Sequence, residues 1–158
     1  MDNNIVMVKS ASDMTLVINV PEIPLIKTWK KRGAKYPIDR KALVQAYYSP
    51  HVEYLFKNGM LVTDDKQFLM DVGLMNEEGK SEVVELTEAF MIRLIKNMPL
   101  TEFKNEVKKL SQIQIDELAN YAIIHYTDLQ MDRIDILSKI ARKDMMTAIK
   151  NHKMAQEG

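Results

Sequence analysis

The spacing of apolar and polar positions changes along the chain from a strand-like to a helix-like period. Runs rich in β-branched residues at positions 5–8 and 14–20 are typical of half-buried strands. Residues 25–31 alternate as an edge strand does, and Gly33 supplies a turn before a return strand that begins at Lys35. The N-terminal part is therefore predicted to be a small, mostly antiparallel sheet.

Two short helices are expected to interrupt this sheet. Asp39 can cap the first turn of a helix, and that helix must end before Pro50. Asp64 or Asp65 can begin a second helix that stops at Gly73. The two adjacent carboxylates could also contribute to a divalent cation site, but helix capping explains them more simply. No metal and no cofactor is predicted.

A β-hairpin is predicted in the middle of the N-terminal part. Asn58 and Gly59 separate the apolar runs 54–57 and 60–62. Asn-Gly readily supplies the two positive φ angles that a tight hairpin turn needs. We therefore expect two short strands that pair across this turn.

Beyond a polar stretch at residues 75–81, the apolar positions recur at helical spacing. Helix starts are predicted at Ser81 or Thr87, at Thr101, and at a capping box of Ser111 and Gln114. The helix that begins at this capping box is predicted to run to Tyr126, before a break at Thr127 and Asp128. Asp144 is predicted to cap a last short turn. Such short helices need tertiary burial, so a compact helical bundle is expected. The predicted fold class is α+β, with a β-rich lobe at residues 1–74, a linker at 75–81 and a helical lobe at 82–158.

Composition removes several kinds of chemistry. The chain has no cysteine, which excludes disulfides, thiolate zinc sites and a cysteine nucleophile. Its 22 Lys and Arg balance 22 Asp and Glu, so no global field draws it to nucleic acid or lipid. His51, His125 and His152 are far apart in sequence, and no phosphate-binding glycine motif occurs. The apolar runs are too short to span a bilayer. We therefore expect no enzyme, no catalytic residue and no membrane partner.

Local charge segregation is the feature that stands out. Cations and aromatic residues are concentrated at positions 27–41, and the candidate partner-binding residues are Lys27, Trp29, Lys30, Lys31, Arg32, Lys35 and Tyr36. This basic ribbon could dock on an acidic protein surface with Trp29 as an anchor. It could also bind phosphates and stack on bases, or be an edge strand protected by lysines with Trp29 in the core. Residues 64–88 form an acidic counterpart.

A particular order of features runs through most of the chain. A β-rich start and a helix lead to Tyr48, Ser49 and Pro50, and the matching segments that follow are 53–58, 60–64, 100–103, 116–119 and 144–149. This order resembles a group of small proteins from tailed bacteriophages. That group carries a glycine pair after the proline, where this chain has His51 and Val52. The resemblance implies a phage-encoded, virion-associated or assembly-related protein, and it supplies no catalytic residue.

The sequence therefore predicts a non-enzymatic bacteriophage structural protein, such as a minor or auxiliary capsid component, in the virion or the bacterial host cytoplasm. It would act by docking on other virion proteins or on copies of itself. The alternative is a nucleic-acid-binding accessory protein that uses the ribbon 27–41. A third class is a small enzyme or a metabolite-binding antagonist of host defence. No residue pattern in the sequence indicates a ligand-binding pocket for such a function.

Overall fold

The chain divides into two units. The computed structural model describes residues 4–125 and 130–157. The N-terminal unit ends at Glu85, and the helical C-terminal unit follows directly. This division places residues 75–81, the predicted linker, within the N-terminal unit. There the Asn76 side chain closes a tight loop by accepting two backbone N–H groups from within the same segment.

The strands of the N-terminal unit form two antiparallel sheets. The strands are β1 (Ile5–Ser10), β2 (Leu16–Val20), β3 (Leu25–Trp29), β4 (Lys35–Asp39) and β5 (Leu61–Val62). One sheet has the order β4–β1–β5, and the other is the β2–β3 hairpin. Together with the helices of the C-terminal unit, these sheets confirm the predicted α+β class with an antiparallel N-terminal part. That part contains a hairpin, β2–β3, but not at the predicted place.

Burial along β1 follows the period of a strand. Val6 and Val8 are fully buried, whereas Ile5 and Met7 are exposed. Successive side chains of a strand point to opposite faces of the sheet, so one face of β1 contributes to the core. The opposite face is left accessible although it also carries apolar side chains.

The sequence predicted that the strand after Gly33 returns along β3, and this prediction is wrong. Instead β4 pairs with β1, and Val8 lies opposite Tyr36. The connecting loop is bonded through its backbone to Ser10, at the end of β1. This long-range pairing carries the chain from one sheet to the other, and a local turn signal cannot reveal it.

Helices complete the N-terminal unit. They are α1 (Arg40–Tyr47), α2 (Pro50–Lys57) and α3 (Lys66–Asp71). Asp39 caps α1 by accepting the N–H of Ala42 at 3.1 Å, and Asp65 caps α3 by accepting the N–H of Phe68 at 2.9 Å. Both predicted helix starts are thus confirmed, because a cap is a local interaction that the sequence encodes directly.

The predicted hairpin at Asn58 and Gly59 is wrong. Residues 54–57 belong to α2, which has a proline in its first turn. Gly59 has a φ of +70°, and the N–H of Met60 bonds back to the carbonyl of Leu55 at 2.9 Å. This is the bonding pattern of a Schellman helix end. A hairpin turn and a helix end both need a residue with positive φ, so the Asn-Gly pair alone could not distinguish them.

The described C-terminal unit is helical throughout. Its helices are α4 (Glu88–Ile92), α5 (Leu100–Val107), α6 (Gln112–His125), α7 (Met131–Ala141) and α8 (Met145–Glu157), and a π-helical turn (Arg93–Asn97) continues α4. Helix α5 begins after Pro99 rather than at a cap formed by Thr101. Tyr126 and the predicted break at Thr127 and Asp128 lie outside the described residues.

Three predicted caps of the C-terminal unit are confirmed. The Thr87 hydroxyl accepts a backbone N–H of α4 at 3.0 Å, whereas Ser81, the alternative start, precedes an irregular segment. Ser111 and Gln114 exchange reciprocal side-chain to backbone hydrogen bonds, as in a capping box. Asp144 accepts a backbone N–H of α8 at 3.1 Å. Helix α8 has 13 residues and is longer than the predicted last turn.

A buried arginine on α7 donates hydrogen bonds to backbone carbonyls in and just after the π-helical turn. Arg133 on α7 is only 6% exposed, and its guanidinium donates to the carbonyl of Leu94 at 2.6 Å and to the carbonyl of Met98. The guanidinium carbon also lies 5.0 Å from the centroid of the Phe103 ring. The side chain thus satisfies carbonyl groups at the end of a helix and is sheltered by an aromatic face.

Candidate docking surfaces

Trp29 lies in the core of the N-terminal unit. Its side chain is 0% exposed, and its indole N–H donates to the carbonyl of Val8 at 3.0 Å. The Tyr36 ring meets it edge-on, with the ring centroids 5.8 Å apart. A partner cannot contact Trp29 in this position, so its proposed role as a docking anchor or a base-stacking platform is replaced by a role in the core. Partner binding by the other six ribbon residues stays a prediction.

The exposed remainder of the ribbon is a lysine-bearing segment, residues 30–35, which we call the cationic loop. Lys30, Lys31 and Lys35 are exposed, and Lys27 on β3 is half-buried. Among residues 4–125 and 130–157, none of these four lysines forms an ion pair. Their charges are therefore available to a partner.

The backbone of the cationic loop is bonded to Ser10 of β1 at Gly33 and Ala34. The N–H of Gly33 donates to the carbonyl of Ser10 at 2.8 Å, and the N–H of Ser10 donates to the carbonyl of Ala34 at 2.9 Å. The Arg32 side chain donates to the Asp13 carboxylate at 2.8 Å and to a neighbouring backbone carbonyl at 2.9 Å. Arg32 thus anchors the loop, and the lysines are presented on a fixed frame.

Arg40, at the end of the ribbon, is engaged within the protein. Its guanidinium bonds both carboxylate oxygens of Asp65, at 2.5 and 2.7 Å. The hydrogen bond from Arg40 lowers the pKa of Asp65, and the Phe68 N–H that Asp65 caps lowers it further, while burial opposes both. One carboxylate therefore joins the start of α1 to the start of α3.

Replacing Asp65 with alanine is expected to lower the free energy of unfolding at neutral pH by about 1 kcal/mol, because α3 loses its cap. The folded state lowers the pKa of Asp65 below 3.8, so its charge stabilises the fold above that pH, and this contribution disappears as the pH falls through the folded-state pKa. The difference between wild type and Asp65→Ala should therefore shrink below about pH 4 in urea unfolding curves.

The matched control for this prediction is Asp64→Ala. Asp64 is exposed and has no hydrogen bond or ion pair within the described ranges. Its replacement should change the stability at neutral pH by less than about 0.5 kcal/mol. Equal losses in the two variants, or a difference that persists unchanged in acid, would contradict the assigned role of Asp65.

The three histidines and Tyr47 contact backbone, an aromatic ring or the core. The His51 Nε2 accepts the Asn19 N–H at 3.5 Å, and the His125 ring lies 4.3 Å from a neighbouring tyrosine ring. His152 Nε2 and the Tyr47 hydroxyl are buried without a hydrogen-bond partner in the described part of the chain. Burial raises the pKa of Tyr47, because its phenolate would be poorly solvated. No three His, Asp or Glu residues within the described ranges are placed to hold a metal ion.

A second exposed surface is the outer face of the β4–β1–β5 sheet, which we call the outer sheet face. Ile5 and Met7 are 43% and 49% exposed there, and a shallow groove runs over them. This face could not be predicted from the sequence. Positions 5–8 are all apolar, so the sequence does not show which alternate pair is left outside the core.

The acidic segment 64–88 is partly neutralised by its own unit. Glu85 binds Lys9 at 3.0 Å, and Asp65 is held by Arg40. Asp64 keeps its charge exposed beside the groove of the outer sheet face. Glu85 and Asp65 are therefore already paired within the N-terminal unit, whereas Asp64 is open to a partner.

None of the helices described for residues 4–125 and 130–157 combines the length and the apolar character needed to cross a bilayer. The chain matches no protein-family model, no curated protein and no solved structure.

Proposed function

We propose that this chain is a non-enzymatic docking protein that uses the cationic loop to bind an acidic protein surface. From the resemblance of its sequence, we further propose that it is a virion-associated component of a tailed bacteriophage, such as an auxiliary capsid protein. Its partners would be other virion proteins or copies of itself. Many modest contacts on a repeated lattice give high avidity without one strong site.

The observation that carries this proposal is the fixed geometry of the cationic loop. Lys30 and Lys31 lie in a loop whose backbone is bonded to Ser10 at Gly33 and Ala34, closed by the Ala34 N–H on the Lys31 carbonyl, and fastened by Arg32. A preorganised surface loses little conformational entropy when it binds. Complementary charges on such a surface speed association and set its orientation.

The burial of Trp29 favours protein over nucleic acid as the partner. Proteins that bind single strands combine cations with exposed aromatic rings, on which the bases stack. In this chain the aromatic side chain at the centre of the ribbon is 0% exposed, and Tyr36 is engaged edge-on with it. The ribbon therefore keeps one accessible aromatic ring, that of Tyr36 at 36% exposure, and its central ring is closed to a stacking base.

The double charge reversal Lys30→Glu, Lys31→Glu tests the proposal. Particles of the source phage are purified with the wild-type or variant chain, and the retained protein is quantified by mass spectrometry. The wild type is expected to be retained, and the variant about tenfold less, because the reversed charges repel an acidic partner. The fold should be unaffected, since both lysines are exposed.

Lys66→Glu, Lys104→Glu is the matched control, since it makes the same change in net charge at exposed helix positions. It should be retained like the wild type. Absence of the wild type from particles, or equal retention of both double variants, would contradict the proposal. Steeply salt-dependent binding to DNA that requires Lys30 and Lys31 would favour the nucleic-acid alternative instead.

A further inference from the structure

The outer sheet face combines an apolar centre with charges of opposite sign at its two edges. Met7 lies at the centre on β1, with Ile5 beside it on the same face. On one side, β4 places Lys35 directly opposite Lys9, so both side chains rise from this face. On the other side, the segment that follows β5 places Asp64 along the same groove.

Three of the five charged residues that line the groove are already paired within the unit, Lys9 with Glu85 and Asp65 with Arg40, whereas one charge at each edge is not. Lys9 binds Glu85 at 3.0 Å across the groove. Lys35 and Asp64 each have no ion-pair partner within residues 4–125 and 130–157. Among the residues that line the groove, Lys35 at the β4 edge and Asp64 at the β5 edge are therefore the two charges left uncompensated. Asp39, at the other end of β4, lies outside the groove and caps α1.

We propose that the outer sheet face binds the same face of a second copy of this chain, in a two-fold symmetric dimer. A two-fold axis parallel to β1 places β4 of one copy over β5 of the other. Lys35 of each copy then meets Asp64 of the second copy. Met7 and Ile5 of both copies are enclosed between two sheets, which pack about 10 Å apart in such contacts.

Charge complementarity argues for a second copy over a partner of uniform charge. A wholly acidic surface would be attracted to Lys35 but repelled by Asp64, and a wholly basic surface would meet the reverse. The face itself carries both signs on opposite sides of its apolar centre, so it is its own complement. This inference deepens the proposed docking function, because it names a second copy as one of the protein partners.

Sedimentation velocity of the full chain over a range of concentrations tests this inference. The wild type is expected to dimerise as the concentration rises. Lys35→Glu should raise the dissociation constant of the dimer about tenfold or more, since each dimer contains the contact twice. The double swap Lys35→Glu, Asp64→Lys restores opposite charges across the interface and should return the dissociation constant to within about threefold of the wild type.

Two further variants show which face is responsible. Lys66→Glu makes the same charge change outside the outer sheet face and should leave the dissociation constant unchanged. Met7→Asp places a charge at the apolar centre and should abolish the dimer, while circular dichroism reports an unaltered fold. A chain that stays monomeric up to about 1 mM, or a dimer indifferent to Lys35→Glu and Met7→Asp, overturns the inference.

The two proposals fail in different ways. A monomeric chain whose retention on particles still depends on Lys30 and Lys31 overturns the dimer and leaves the docking function standing. A dimer that is never retained on particles supports the dimer and removes the virion partner. Lys35 belongs to the cationic loop as well, so the particle experiment reverses only Lys30 and Lys31.

Discussion

Replacing Arg133 with methionine is expected to lower the free energy of unfolding of the C-terminal unit by about 3 kcal/mol. Methionine keeps the length and apolar bulk of the side chain but donates no hydrogen bond. The carbonyls of Leu94 and Met98 then lose the donor that Arg133 provides at the end of the π-helical turn. Each buried acceptor left without a partner costs about 1–3 kcal/mol. Chemical unfolding followed by the helical circular dichroism signal measures this loss.

The control for this prediction is Arg93→Met, in the π-helical turn itself. Arg93 is exposed, and its guanidinium carbon lies 5.7 Å from the centroid of the Phe90 ring. An exposed contact of this kind contributes about 0.5–1 kcal/mol. Arg133→Lys should fall between the two, because a lysine keeps the charge but lacks the forked donors that reach both carbonyls. Equal losses for Arg93→Met and Arg133→Met would show that the buried hydrogen bonds are not the cause.

The role of Arg133 could not be predicted from the sequence, and the reason lies in the distance between the partners. Ile134 and Leu137 are buried on α7 at helical spacing. An arginine next to these residues is ordinarily solvated. Its burial depends on carbonyl groups of a π-helical turn more than thirty residues away in sequence, and that turn itself has no local sequence signal.

Interactions within one turn were predictable for the opposite reason. The caps formed by Asp39, Asp65 and Thr87 each join a side chain to a backbone N–H three residues later. The residue types and spacing that make such bonds are contained in a few neighbouring positions. Asn58 and Gly59 show the limit of this reasoning, because the same positive φ ends a helix or turns a hairpin.

One of the two candidate surfaces could be predicted from local sequence, and the other could not. The lysines of the cationic loop were identified from local composition, and the structure leaves them exposed. The outer sheet face depends on which strands lie beside β1, and this pairing is long-range. Lys35 and Asp64 are 29 positions apart in sequence, yet they line one groove. The combination of apolar centre and opposite charges therefore becomes visible only in the fold.

Trp29 is the residue for which the sequence left three interpretations open, and its replacement is expected to have a large effect on stability. Trp29→Ala should lower the free energy of unfolding by about 3–5 kcal/mol, because a fully buried indole leaves a cavity. Trp29→Phe keeps an aromatic ring but leaves the Val8 carbonyl without its donor, so it should lose about 1–3 kcal/mol. Urea unfolding followed by circular dichroism measures both losses.

Fluorescence separates a core role for Trp29 from a binding role, because Trp29 is the only tryptophan of the chain. Its emission should be blue-shifted relative to free tryptophan and should not move when single-stranded DNA or an acidic protein is added. Ile26→Ala, on the same strand at a position that is 63% exposed, is the control for stability and should lose less than about 0.5 kcal/mol. A partner that quenches or shifts the emission, together with a small stability loss in Trp29→Ala, would return Trp29 to the binding surface and reopen the nucleic-acid alternative.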